Sequence, residues 1–265
     1  MSKDSSKPVI AEVTEEAAPA SGIRWSVFTA VVVLVLGFVL SQLFGSLLVS
    51  IYPHLKHWNG GTATNWLDNS IGAQFLYVLI SEILLVMMIA KFVQWRKGKF
   101  GALGVKKPKW IDVAYASFGI LAYLGLYLVA VDVVSAIVHI NEQQQQDLGF
   151  SNPAGGVAML LTFISLVILP PLAEEFAFRG FLFSTLRRRF SLVIAMLGTS
   201  ALFAVPHLLE SGSGGLLWIA GIDTFVLSLV LCYVREKTGR LWAGMIIHGL
   251  KNSIAFVYIY AMHMH

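Results

Sequence analysis

A chain of 265 residues that is 57% hydrophobic and only 13% charged departs from soluble domains, which carry about 25% charged residues. Its net charge of +4 lies in short clusters between apolar runs, which argues against a nucleic-acid partner. A single cysteine, Cys232, excludes an intramolecular disulfide and a cysteine-cluster metal site.

Residues 1–22 are polar, contain Pro8 and Pro19, and read as a disordered cytoplasmic tail. The apolar run that follows starts at Trp25 and is too long for the core of a cleavable signal. A helix needs about 20 apolar residues to cross a bilayer. On that basis the chain divides into spans at about Trp25–Ile51, Ile71–Phe92, Ile111–Ile140, Val157–Leu186, Leu192–Leu208, Leu216–Val234 and Leu241–Tyr260. The expected fold is an all-α polytopic transmembrane bundle of about seven to eight spans. Asn59-Gly60-Gly61, Gly212 to Gly215 and the glutamines Gln143 to Gln146 read as loops. No internal repeat is evident.

The connections carry charge asymmetrically. Arg96, Lys97, Lys99, Lys106, Lys107 and Lys109 follow the second span. Arg187, Arg188 and Arg189 follow the fourth, and Arg235, Lys237 and Arg240 follow the sixth. The alternate loops mix charges, with Lys56 and Asp68, then Glu142 and Asp147, then Glu210. The positive-inside rule then places the N-terminus in the cytoplasm and the C-terminus outside, as expected of an integral protein of the cytoplasmic (plasma) membrane.

Within the fourth span stand Glu174, Glu175 and Arg179. A charge at the bilayer centre costs about 2.5–3.5 kcal/mol on insertion scales, so such a cluster reads first as a functional site. Pro170-Pro171 is expected to disrupt the preceding helix and restart it just before the cluster. Glu175 and Arg179, four apart, share a face and can pair. Glu174 points about 100° away and lacks a partner at that spacing, which makes it the candidate general base for a water. The plainer alternative for Glu175–Arg179 is an ion pair that pins two helices.

Two further constellations follow. Phe203 and His207 share a face near the end of the fifth span, with Pro206 just before the imidazole. His248 and Asn252 share a face of the last span and can donate hydrogen bonds to a developing oxyanion. Taken alone, each fits a structural histidine or interhelical hydrogen bonds of about 0.6 kcal/mol. Glu82, Asp132 and Asp223 are further intramembrane carboxylates, which a proton- or ion-coupled transporter would use.

EExxxR, FxxxH and HxxxN in this order on successive apolar helices resemble the CAAX-protease and bacteriocin-processing (CPBP, or ABI) family. The resemblance covers roughly residues 157–260 and includes Thr238-Gly239 and Trp242 before the last motif. The chain is expected to divide into the 1–22 tail, N-terminal transmembrane helices over 23–150 and, by the resemblance, a catalytic transmembrane core over 151–262, all in one integral domain. The resemblance implies an intramembrane endopeptidase, often named a metalloendopeptidase, acting on a peptide or membrane-protein substrate in the lipid bilayer. By that resemblance Glu174 and His207 activate a water, His248 and Asn252 form the oxyanion hole, and Glu175, Arg179 and Phe203 support them. A scaffold or immunity-type protein keeping the same fold is the alternative. A zinc ion would be held by Glu174, His207 and His248, but no HExxH is present and no metal is expected to be obligatory. His263 and His265 are assigned no role. Substrate identity and oligomeric state are not encoded in any recognisable pattern.

Straight helices rising 1.5 Å per residue would leave Glu174 about 20 Å, His248 about 11 Å and His207 about 27 Å from the basic turns. Bringing them together requires tilted spans, and the stretch around 184–192 is expected to lie partly outside the membrane or along its surface.

Overall fold

The structure, a computed structural model, describes residues 22–138, 140, 149–150, 153–209 and 215–261. The expectations for the N-terminal tail, Glu142, Gln143 to Gln146, Asp147, Glu210, His263 and His265 fall outside those residues, as does most of the Gly212 to Gly215 loop.

Among the described residues the fold is all-helical, a polytopic bundle. Its helices are α1 (Val27–Leu55), α2 (Gly60–Asn69), α3 (Ile71–Trp95), α4 (Trp110–Ser135), α5 (Gly156–Arg187), α6 (Leu192–Leu209), α7 (Trp218–Thr238) and α8 (Trp242–Phe256). All but α2 and α8 are long and apolar enough to cross a membrane, making six candidate spans. Helix α8 has 15 α-helical residues and continues as a π turn, Val257–Ala261. A membrane permits little else, because each helix satisfies its own backbone where water is absent.

Local signals account for the helix ends. Ser26 caps α1 by accepting from the Thr29 N–H, and Ser70 caps α3 by accepting from that of Ala73. Asn59-Gly60-Gly61, expected to be a loop, instead opens α2, with Asn59 Oδ1 accepting from the Thr62 N–H at 2.9 Å. At the other end of the bundle α7 stops at Gly239, whose φ of +63° suits a residue without a Cβ.

Packing follows residue size. Gly37, Ser41 and Gly45 line the buried stripe of α1, and α3 brings Leu85 against Gly37 and Ser81 against Gly45. Small residues four apart let apolar helices approach closely, which is how helices associate without a hydrophobic driving force. Helix α7 is central. In its span window 56% of residues are buried, against at most 28% in any other, and α4, α6 and α8 pack around it.

Helix α5 runs unbroken from Gly156 to Arg187, so the di-proline neither disrupts nor restarts it. It widens instead into two π segments, Ile164–Ile168 and Glu175–Leu182. Pro170 and Pro171 have no N–H, so the carbonyls of Leu166 and Val167 lose the donors an α-helix would supply. The first π segment absorbs part of that defect, with the Leu169 N–H bonding back to Ile164 O. The second packs an extra residue into each turn, so the helix advances less between Glu175 and Phe183 than an α-helix would. Residues 184–187 remain helical. Thr185 and Leu186 are buried, and only residues 188–191 form an exposed turn, so the surface segment is shorter than expected.

Several cations of the basic turns serve the fold. Arg235 turns inward, donating to Ala102 O and Ser184 Oγ, and Arg240 pairs with Asp112 at 2.9 Å. Arg187 pairs with Glu236, Arg96 reaches Arg24 O, and Arg188 reaches Ile23 O.

Candidate active site

The second π segment carries the charged cluster into the centre of the bundle. Glu175 and Arg179 are fully buried, and Arg179 Nη1 donates to Glu175 Oε1 at 2.8 Å. The guanidinium also lies 4.3 Å from the centroid of the Phe203 ring. A desolvated cation over an aromatic face adds attraction of about 2 kcal/mol. Paired and stacked, the charge is tolerable where a lone arginine would not be.

His248 stands between the two glutamates. Its Nδ1 is 3.5 Å from Glu175 Oε1 and its Nε2 is 3.8 Å from Glu174 Oε2. Both separations are longer than an ordinary hydrogen bond, so the ring is held between the two carboxylates by electrostatic contact. The two carboxylates differ in setting. Glu175 is sealed, with its side chain 1% exposed, whereas the Glu174 side chain is 13% exposed and reaches the margin of the core.

Phe203 is the hub of the site. His207 lies 5.3 Å and His248 5.9 Å from it, centroid to centroid, and Phe178 packs edge-on at 4.9 Å. The motif phenylalanine thus joins α6 to both α5 and α8. His207 Nδ1 is 3.1 Å from Phe203 O. A carbonyl oxygen only accepts, so Nδ1 carries the proton and Nε2 is the basic nitrogen of the neutral ring.

Asn252 also faces α5. Its Nδ2 donates to Leu166 O at 2.9 Å, the carbonyl that Pro170 leaves without a donor. One N–H of the amide therefore caps a helix defect, and the second remains for other partners. Asn252→Ala is expected to cost about 1–3 kcal/mol by leaving that carbonyl unsatisfied. In a Pro170→Ala background the restored N–H takes over and the cost falls. Thermal melts of the four proteins measure the coupling, and equal losses in both backgrounds would contradict the capping role.

Gly244 passes unremarked in the sequence but is decisive here. A Cβ at this position would meet Glu175 Oε2 at 2.5 Å, so glycine lets α8 close on the buried pair without displacing the carboxylate. Its signal was available: it precedes His248 by four residues and shares its face. Gly244→Ala is expected to push α8 away from Glu175, lowering the melting temperature and loosening the His248 contacts. Unchanged stability would show that α8 has room to spare.

An apolar cleft of about 280 Å³ between α5 and α8 flanks the site, lined by Val167, Pro171, Leu172, Met245, Gly249 and Ser253. The remaining intramembrane carboxylates lie elsewhere. Asp223 pairs with Lys251 at 2.7 Å and accepts from the Tyr123 hydroxyl, binding α4, α7 and α8 together. Asp132 is exposed at the end of α4, and Glu82 is half-buried on α3. Among the described residues no three His, Cys, Asp or Glu side chains converge as a metal site, so Glu174, His207 and His248 do not fit the zinc trio considered above.

The chain is 28% identical over 177 residues to the uncharacterized protein YyaK of Bacillus subtilis, covering 66% of this chain and 56% of that protein. It is 24% identical over 171 residues to the UPF0177 protein YxdF of Lactococcus lactis, covering 64% of this chain and 87% of the relative. The chain thus spans little more than half the length of YyaK. No solved structure matches it. Residues 156–254, which hold all three motifs, match the type II CAAX prenyl endopeptidase Rce1-like family model, and the chain therefore carries a domain of that CPBP family.

Proposed function

We propose that the protein is an intramembrane endopeptidase that hydrolyses a peptide bond of a membrane-associated protein or peptide, with its N-terminus and basic turns in the cytoplasm. The observation that carries this reading is His248 held between two carboxylates of unequal exposure, 3.8 Å from Glu174 and 3.5 Å from Glu175. A purely structural pair needs Glu175 and Arg179 alone. A second carboxylate adds desolvation cost, and its place beside the His248 imidazole at the margin of the core gives the site a proton acceptor.

Glu174, with His207 on the facing helix, takes a proton from the attacking water as the new C–O bond forms. His248 and the second N–H of Asn252 donate to the oxyanion. The proton held by Glu174 then passes to the leaving amine as the C–N bond breaks. Glu175 and Arg179 keep His248 in place from its Nδ1 side. The substrate approaches through the apolar cleft beside Pro171 and Gly249.

The test is a library of membrane-inserting peptides presented to purified protein in lipid nanodiscs, with cleavage read by mass spectrometry. Cleavage that survives a chelator is expected. Cleavage abolished by the chelator and restored by zinc would replace the side-chain mechanism with a metal one. No cleavage of any member would favour a scaffold or immunity-type role.

A further inference from the structure

A second apolar hollow lies away from the glutamates. It is a groove of about 580 Å³ between α4 and α6, floored by α7. Its α4 side runs from Ile111 to Leu126 on one stripe, about 22 Å at 1.5 Å per residue. Half of a hydrocarbon core is about 15 Å thick, so the groove crosses one leaflet and reaches past the midplane. Small residues hollow it out. Ala114, Gly119 and Ala122 leave the trough, and the exposed rings of Phe118 and Tyr233 wall it. At Gly119 the tip of Ile247 from α8 comes within 2.4 Å of where a Cβ would stand, so α4 packs closely here. Apart from two tyrosines every lining side chain is hydrocarbon or thioether, so the occupant is a long apolar chain rather than a compact polar ligand.

The ends of the groove differ. The Asp112–Arg240 ion pair joins the start of α4 to the turn after α7, so Ile111 and Tyr233 lie at the same, basic end. Trp110 there is 90% exposed, as aromatic residues at the headgroup level are. Arg240 is neutralised by Asp112 and Arg235 is turned inward. Lys109 and Lys237 are different. Both are exposed, and neither is paired with a carboxylate among the described residues. Lys109 precedes Ile111 by two residues, and Lys237 Nζ lies 5.4 Å from the centroid of the Tyr233 ring that walls the groove. An apolar trough one leaflet deep thus opens on two uncompensated ammonium groups.

We propose that this groove binds an anionic phospholipid, one acyl chain lying along α4 between Ile111 and Leu126 and the headgroup held by Lys109 and Lys237. Basic pockets between helices are where anionic headgroups are recognised, each lysine contributing through a field that salt screens. A zwitterionic lipid offers the same chain, but its ammonium opposes the two lysines. The binding does not depend on peptide hydrolysis, so the two proposals stand or fall separately.

The experiment is native mass spectrometry of the full chain in neutral detergent, titrated with phosphatidylglycerol or phosphatidylcholine of identical acyl chains. Wild type is expected to retain one phosphatidylglycerol with about tenfold preference. Lys109→Gln/Lys237→Gln is expected to bind both lipids equally and weakly. Ala122→Phe, a change at an exposed position that fills the trough, is expected to lose both. Melting curves verify that the variants fold. Equal retention of the two lipids by wild type, a preference that survives the double lysine substitution, or full binding by Ala122→Phe would each overturn the proposal. Displacement of phosphatidylglycerol by a prenylated peptide would overturn it too, making the groove a seat for substrate.

Discussion

Arg179→Met is expected to destabilise the protein by about 3–5 kcal/mol, the cost of leaving one partner of a buried ion pair uncompensated. The guanidinium is sealed from solvent, donates to Glu175 Oε1 at 2.8 Å, and lies over Phe203. Methionine retains much of the apolar bulk but leaves the Glu175 carboxylate buried without a cation. The double variant Arg179→Met/Glu175→Gln removes both charges and is expected to recover much of the loss, since a buried pair replaced as a unit is often neutral. Thermal unfolding in a single detergent measures both. A single variant no less stable than the double would show that the pair does not hold α5 in place.

The second large effect is kinetic. Glu174→Gln keeps size and polarity but removes the ability to take a proton, and general-base catalysis contributes about 10²–10⁴-fold in rate. Peptide hydrolysis is expected to fall by that factor with the melting temperature nearly unchanged, because the Glu174 side chain lies at the margin of the core. His207→Gln is expected to act in the same direction. A melting temperature that drops as far as with Arg179→Met would instead place Glu174 in the scaffold.

Much of the fold is legible in the chain because lipid leaves the backbone few options. The third helix starts at Ile71 and the sixth at Leu192, where the apolar runs begin, and their ends lie within a few residues of those runs. Helix α2 escapes notice because it is short, has no buried residue, and opens with two glycines that usually mark a turn. The π segments escape for a different reason. Pro170-Pro171 marks a defect, but whether a helix breaks or widens depends on what can satisfy its stranded carbonyls. Here Asn252, 82 positions past Pro170 and on another helix, supplies one of the donors.

The site divides along the same line. Glu175–Arg179 follows from local spacing, and the structure forms the pair. The contact of His248 with both glutamates is tertiary. It depends on Gly244, whose lack of a side chain becomes informative only once α8 is seen against Glu175. Helical spacing alone puts Phe203 beside His207, whereas its contacts with Arg179 and His248 come from packing. Arg235 and Arg240 look like orientation charges in the sequence and act as structural ties in the fold.

The central claim is that two adjacent glutamates have separate tasks, Glu175 in the scaffold and Glu174 in chemistry. The most direct measurement is a crossed one: melting temperature and hydrolysis rate of Glu174→Gln and Glu175→Gln in the same nanodiscs, on one cleaved peptide. Glu174→Gln is predicted to lose rate and keep stability, and Glu175→Gln to lose stability first. Full hydrolytic activity in a folded Glu174→Gln protein would contradict the claim.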